Sequence, residues 1–230
     1  MNRFQNKRAL VTGASSGIGQ AIALALAAEG AHIHAVARNW PETTADWQLY
    51  NADFTVEADV KRLAAEVSAS KAPLDLMIHC AGVLEIGAVA EFSLTQLDKM
   101  YHVNVRAPFL LTQLLLPDLT KSSGQIVFMN SSAAIAPNAA LAGYSSTKAA
   151  LKLVADCLRL EVNASGVRVM SVYPGKTASA MQQRAHELAD KTYDAANLMQ
   201  PEDVAQMVIS ALALPKTAEM TDLHIRPMKK

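Results

Sequence analysis

The chain has 230 residues, 51% hydrophobic and 18% charged, enough to bury a large core and too apolar for a disordered polymer; its size and composition exclude repeat arrays and disulfide-stapled miniatures. Its 21 basic and 21 acidic residues cancel, so no general field draws it to nucleic acid or an anionic membrane. The longest apolar run, Ala21 to Ala28, is far short of a bilayer span, and MNRFQNKRALVTG lacks a signal-peptide core, so a soluble cytoplasmic protein is expected.

In chain order, Arg8 to Thr12 is a short apolar run that reads as a strand. The turn Gly13-Ala14-Ser15-Ser16-Gly17-Ile18-Gly19 follows, then an alanine-rich helix from Gln20 to Glu29 closed by Gly30. Ala31 to Ala37 reads as a second strand, and Asp46 to Asn51, Leu74 to Ala81, Gln125 to Ser131, Val167 to Tyr173 and Leu223 to Arg226 repeat the pattern. Helical stretches separate the later strands: Val56 to Ser70, Thr95 to Leu119, Tyr144 to Ser165 and Pro201 to Leu214. Alternation of this kind predicts a doubly wound α/β fold, a Rossmann-type parallel sheet covered on both faces. Residues 38–53 leave little room for a full second crossover helix, which is expected to be shortened. No linker divides the chain, so residues 1–230 are read as one domain. Cys80 and Cys157 both lie in segments that read as buried and have no ligand spacing, so buried free thiols and no metal are expected.

Three of the ten glycines fall between Gly13 and Gly19, a concentration that demands a local cause. After a parallel strand, a turn without β-carbons lets backbone approach a pyrophosphate, and the first amides of the next helix point at it. Ser15 and Ser16 add hydroxyl donors. The alternative is tight packing of strand against helix.

Tyr144 and Lys148 stand at i and i+4 on a helical segment, so they share one face. A phenol is a poor base at neutral pH unless a neighbouring ammonium favours its phenolate, and Lys148 supplies that ammonium. Ser131, at the end of the fifth predicted strand, is placed to hold a substrate oxygen, with Ser132 as the alternative if the strand ends one residue later.

Together with Asp53, Ala81-Gly82, Asn104, Tyr144-Ser145-Ser146-Thr147-Lys148 and Tyr173-Pro174-Gly175, the glycine turn makes the chain resemble the short-chain dehydrogenase/reductase family over nearly its whole length. That resemblance implies a nicotinamide cofactor and hydride exchange between carbonyl and alcohol. It further implies Tyr144 as acid or base, Lys148 lowering its pKa, Ser131 positioning the carbonyl, and Asn104 keeping a relay water. Asn104 bonding a nearby backbone carbonyl is the plainer alternative.

For the cofactor, the resemblance implicates Gly13, Ser15, Ser16, Gly17, Ile18, Gly19, Asp53, Phe54, Ala81, Gly82, Pro174, Gly175 and Thr177, besides Tyr144 and Lys148. Members that prefer NAD carry an acidic residue at the end of the second strand; here Ala35-Val36-Ala37-Arg38 offers Arg38, suited to a 2′-phosphate. NADP(H) is therefore expected over NAD(H), with NAD(H) use possible in principle.

Two stretches depart from the pattern: His79-Cys80-Ala81-Gly82, with His79 read as a packed residue, and the ending Leu223 to Lys230, which lacks glycine. The segment after Pro174 is expected to cover a small or medium carbonyl or alcohol substrate with Ala178, Ala180, Met181, Leu188 and Met199, while Gln182, Gln183 and Arg184 face outward. A silent dinucleotide sensor is the rival reading. A homodimer or homotetramer is expected by analogy, with Leu110, Leu114, Leu151 and Leu158 as apolar helix positions.

Overall fold

The computed structural model describes residues 2–40 and 46–228. Seven strands form one sheet: β1 (Arg8–Thr12), β2 (His32–Ala37), β3 (Gln48–Asn51), β4 (Leu76–His79), β5 (Gln125–Met129), β6 (Arg168–Pro174) and β7 (Asp222–Ile225). Their order is β3-β2-β1-β4-β5-β6-β7, and every pairing is parallel. The helices are α1 (Gly17–Ala28), α2 (Glu57–Ser68), α3 (Leu94–Tyr101), α4 (Ala107–Ser122), α5 (Ala142–Val162), α6 (Ala180–Leu188) and α7 (Pro201–Leu212). This is the doubly wound α/β arrangement that the alternation of elements predicts.

The period of two along each strand sends side chains to two separate cores. From β1, Ala9 and Val11 join Ile22 and Leu26 of α1 and Val204 and Val208 of α7 on one face. Leu10, between them, joins Leu63 of α2, Leu111 and Leu115 of α4 and Leu151 of α5 on the other. A strand buried on both faces must be apolar throughout, which is why these strands read as continuous runs.

Local signals set the helix ends. Gly30, at φ 90°, closes α1: its N–H donates to the Ala27 carbonyl at 2.9 Å and the Ala31 N–H to that of Leu26 at 3.0 Å. At α7, Pro201 occupies the first turn and the Asp203 carboxylate accepts from the Gln200 N–H at 2.8 Å.

The structure corrects the single helix expected from Thr95 to Leu119. It is interrupted by a π turn at His102–Arg106 between α3 and α4. Pro108 is the cause visible in the sequence: it has no N–H for the carbonyl of Asn104, four residues back, and its ring crowds that carbonyl. The fifth strand also ends earlier than expected, at Met129, so Ser131 stands beyond it. The expected shortening of the second crossover falls partly on residues 41–45, which lie outside the described residues, as do Lys229 and Lys230 of the C-terminal departure. Residues 38–40 and 46–47 form no helix.

Cys157 is exposed on α5, not buried as expected, because it falls between the core positions Ala155 and Leu158. Cys80 is half-buried. Among the described residues there is no group of metal-ligand type, and no helix is long and apolar enough to cross a membrane.

Leu115 is wholly buried, whereas Leu160 is 85% exposed. Leu115→Ala is expected to cost about 2–5 kcal/mol of unfolding free energy and Leu160→Ala less than about 0.5 kcal/mol, read from urea unfolding midpoints at constant slope.

Candidate active site

Because all strands run the same way, their C-terminal ends open on a single edge, and the chain departs in opposite directions from the neighbours β1 and β4. A crevice is expected at such a switch point. A cleft of about 940 Å³ lies there. The turn after β1 lines it from Gly13 to Gly19, with Arg38 after β2, Asp53 and Phe54 after β3, and Ala81 and Gly82 after β4. Ser131 and Ser132 after β5, Pro174, Gly175 and Thr177 after β6, and Tyr144 and Lys148 of α5 complete the wall. Of the residues expected from the sequence to serve catalysis or to hold the cofactor, Asn104 alone stands behind the lining.

The glycine turn resolves into two functions. Gly13, at φ +68°, lies so close to β4 that a Cβ would sit 2.8 Å from the Ala81 nitrogen, and a Cβ on Gly19 would sit 2.3 Å from the Gly13 carbonyl oxygen. These two glycines let strand, helix and neighbouring strand meet. A Cβ on Gly17 would meet only the Ser179 side chain, at 3.5 Å, so this position faces the cleft. Thr12 ties the junction together, its hydroxyl accepting from the Cys80 and Ala81 N–H groups at 3.1 Å each. Ser16, the N-cap of α1, makes no side-chain bond to the helix, and the first turn carries no acidic residue. The positive end of α1 is thus presented to the cleft.

Tyr144 and Lys148 are buried on the inner face of α5, with the Lys148 ammonium 5.8 Å from the Tyr144 ring centre. Lys148 donates to the Met129 carbonyl at 2.9 Å, the last residue of β5. Burial pulls its ammonium down to about 8. Burial also pushes the Tyr144 phenol up to about 12, against the neighbouring Ser131 side chain, which lowers it. Ser131 caps its own short turn, its hydroxyl accepting from the Ala133 N–H at 3.1 Å.

Asn104 sits in the π turn, and its side chain clamps Val83: its carbonyl oxygen accepts from the Val83 N–H and its amide donates to the Val83 carbonyl, both at 2.9 Å. The amide also donates to Thr147 at 3.0 Å. The clamp ties the loop after β4 to α5 beneath Tyr144. At the far end of the cleft, Asp53 accepts from the Thr55 N–H at 2.9 Å and hydroxyl at 2.7 Å, bonds that hold its carboxyl below the usual range.

The cover differs from expectation in part. Ala180, Met181 and Leu188 line the cleft, but so does Gln182, because α6 runs along the opening and turns two polar positions, Gln182 and His186, inward. Met199 is buried in the core below, and Ala178 is absent from the lining, since the Ala178 N–H and Met199 carbonyl pair at 2.8 Å. His79 is a packed residue, stacked on Phe128 and bonded to Thr112 at 2.9 Å, and burial pulls its imidazole down to about 3. Sequence reasoning missed Asn130, Lys99 and Lys191 in the lining. The first adjoins Ser131 and was within reach; the other two enter through tertiary packing alone.

The family model for short chain dehydrogenases matches residues 7–189. A short-chain type dehydrogenase/reductase of Sinorhizobium fredii, itself uncharacterized, is 32% identical to this chain, the match covering 99% of this chain and 93% of the relative. The structure of an alcohol dehydrogenase from the archaeon Thermococcus sibiricus, complexed with 5-hydroxy-NADP, superposes with a TM-score of 0.87 at 23% identity over 98% of both chains. A closed serine dehydrogenase complexed with NADP+ gives 0.84 at 23% identity, over 96% of this chain and 94% of that one. The two structures share the fold, and the sequence matches carry the assignment: the chain belongs to the short-chain dehydrogenase/reductase family of oxidoreductases.

Proposed function

We propose that the protein is an NADP(H)-dependent oxidoreductase exchanging hydride between a nicotinamide and a small or medium carbonyl or alcohol, with Tyr144 as acid and base. The observation that carries this reading is the convergence of Tyr144, Lys148 and Ser131 on the same cleft as the glycine turn. Residues 1–230 act as one catalytic domain in this reading, in a cytoplasmic setting.

The cleft fits a dinucleotide. Gly17 and the open end of α1 would receive the diphosphate, Arg38 a 2′-phosphate, and Asp53 with the Phe54 backbone the adenine. Ala81, Gly82, Pro174, Gly175 and Thr177 would hold the nicotinamide half. When bound in reduced form, the cofactor supplies the hydride.

Ser131 donates to the substrate oxygen and holds it beside the Tyr144 hydroxyl, a role favoured over Ser132 by the influence of the Ser131 side chain on the Tyr144 phenol. Tyr144 gives its proton to that oxygen in reduction and takes it back in oxidation. Lys148 makes the phenolate less unfavourable by its charge and replenishes the proton. Asn104 acts at one remove: its side chain fixes the loop while Pro108 leaves its carbonyl without an i+4 donor, available to a relay water. By analogy the enzyme is a dimer or tetramer; of the helix positions named for it, Leu114 is exposed and Leu151 and Leu158 are core. Light scattering at micromolar concentration tests the assembly.

The experiment that separates the enzyme from a silent sensor is NADPH consumption with a carbonyl panel. Tyr144→Phe is expected to lower kcat by about 10²–10⁴-fold while NADPH affinity stays within about threefold. Consumption at the wild-type rate would remove Tyr144 from its role, and tight NADPH binding without turnover of any carbonyl would favour the sensor.

Two further outcomes follow from charge. Arg38→Ala should lower the NADPH-to-NADH ratio of kcat/KM by about 10–100-fold, the worth of a charge-assisted pair with the 2′-phosphate. Because the base form of Tyr144 is needed for oxidation and the acid form for reduction, kcat/KM for alcohol oxidation should rise with pH along one deprotonation and that for carbonyl reduction fall along it. In the cofactor-free protein, Lys148, held at about 8 against its ordinary 10.5, binds fewer protons folded than unfolded. Its contribution to stability therefore grows as pH rises from about 8 to 10.5, which urea unfolding of wild type against Lys148→Met would show.

A further inference from the structure

Tyr144 is carried by the first turn of α5, and the residue before it is a glycine. Glycine weakens a helix relative to alanine, and Gly143 has no left-handed backbone angle to call for it. Space is the reason. A Cβ on Gly143 would lie 2.8 Å from the Met100 methyl and 3.1 Å from both Cε1 and Cζ of the Phe92 ring. The opposite edge of that ring meets a second glycine, since a Cβ on Gly87 would lie 2.8 Å from the Phe92 Cδ2. Phe92 thus stands between the loop after β4 and the start of α5.

Two further observations tie these contacts to the site. Gly87 and Ala140 both line the cleft, and the Gly87 N–H donates to the Ala140 carbonyl at 2.9 Å. Ala140 holds a left-handed φ of 62°, uncommon for a residue with a β-carbon and kept only where its surroundings dictate it. The cleft wall made by these two loops and the base of Tyr144 are therefore one unit, keyed on the Phe92 ring. Met100 is wholly buried and clusters with Tyr144 and Ala133, and the Ala133 N–H donates to the Ser131 hydroxyl at 3.1 Å. One methionine backs the segments that carry both Tyr144 and Ser131.

We infer that Phe92 and Met100 are positioning residues: pressed onto α5 where Gly143 has no side chain, they set where the Tyr144 hydroxyl meets the substrate oxygen. Neither is part of the cleft lining, so each acts through Tyr144 and not on the substrate. The inference rests on the proposed role of Tyr144 and deepens it. Misplacing a reacting group by about 1 Å costs about 10²-fold in rate, so a small shift of α5 is enough to be read in turnover.

The test is a variant and its suppressor. Gly143→Ala puts a methyl group into the contacts with Met100 and Phe92, and Gly143→Ala/Met100→Leu takes away the methionine methyl that it meets, at little cost in packed volume. With the carbonyl that wild type reduces fastest, Gly143→Ala is expected to lower kcat about 10–100-fold while KM and NADPH affinity stay within about threefold. The double variant should return kcat to within about threefold of wild type, with melting temperatures reporting folding. In protein carrying tyrosine labelled at Cζ, the Tyr144 NMR signal, identified by its loss in Tyr144→Phe, should move in Gly143→Ala and move back in the double variant. Should Gly143→Ala not fold, Phe92→Leu, which withdraws the ring from both glycines, is read for the same loss of kcat and the same displaced signal. An unchanged kcat, an unmoved Tyr144 signal, or a loss that Met100→Leu leaves in place overturns the inference. A wild type that reduces no carbonyl counts against the oxidoreductase reading alone, and the NMR comparison then decides the positioning.

Discussion

Everything in this molecule is organised around one steric constraint at the end of β1. There the chain must turn from strand into helix while touching the end of β4, and the Gly13 carbonyl lies where a Cβ on Gly19 would stand 2.3 Å away. No side chain fits in that junction. Meeting the constraint with glycine brings the start of α1 against the sheet edge, aims its first amides into the crevice, and lets Thr12 fasten the loop after β4 through two hydrogen bonds. The glycine turn divides its work: Gly13 and Gly19 allow close packing, and Gly17, at φ +56°, turns the chain while leaving the cleft open.

From that junction outward, the site is a matter of burial set against charge. Tyr144 and Lys148 are both buried by α5 and the strand ends, and burial alone disfavours the charged form of each, raising the phenol and lowering the ammonium. The fold compensates only in part, with the Met129 carbonyl for Lys148 and the Ser131 side chain for Tyr144. A pair prepared in this way is sensitive to any charge that enters the cleft, which suits the proton exchange proposed for it. Positioning comes from further back, where Asn104 and Thr147 tie the β4 loop to α5 across a π turn.

Much of this was legible in the sequence because its signals are local. A strand buried on both faces has to be a run of apolar residues, an alanine-rich segment after a glycine turn has to be α1, and Gly30 has to end it. The Tyr144 and Lys148 spacing on one helix needs no tertiary information. The break between α3 and α4 was also written in the chain, at Pro108, but inside an otherwise helical pattern a proline is easily read as tolerated. Cys157 was misjudged for the opposite reason: an apolar neighbourhood in sequence does not say which side of the helix a single position takes.

The sequence by itself determined the parallel sheet, the crevice at its switch point and the Tyr144 and Lys148 pairing on one helix face, because these depend on periodicity, turn sterics and helical spacing. Only the tertiary structure decided what surrounds them. It moved Asn104 behind the lining, turned Gln182 inward, sank Met199 into the core, and brought Lys99 and Lys191 from distant segments into the lining of one cleft. Those facts follow from how α3, α6 and α5 pack over the sheet edge, and packing between elements far apart in the chain leaves no local trace in the residues themselves.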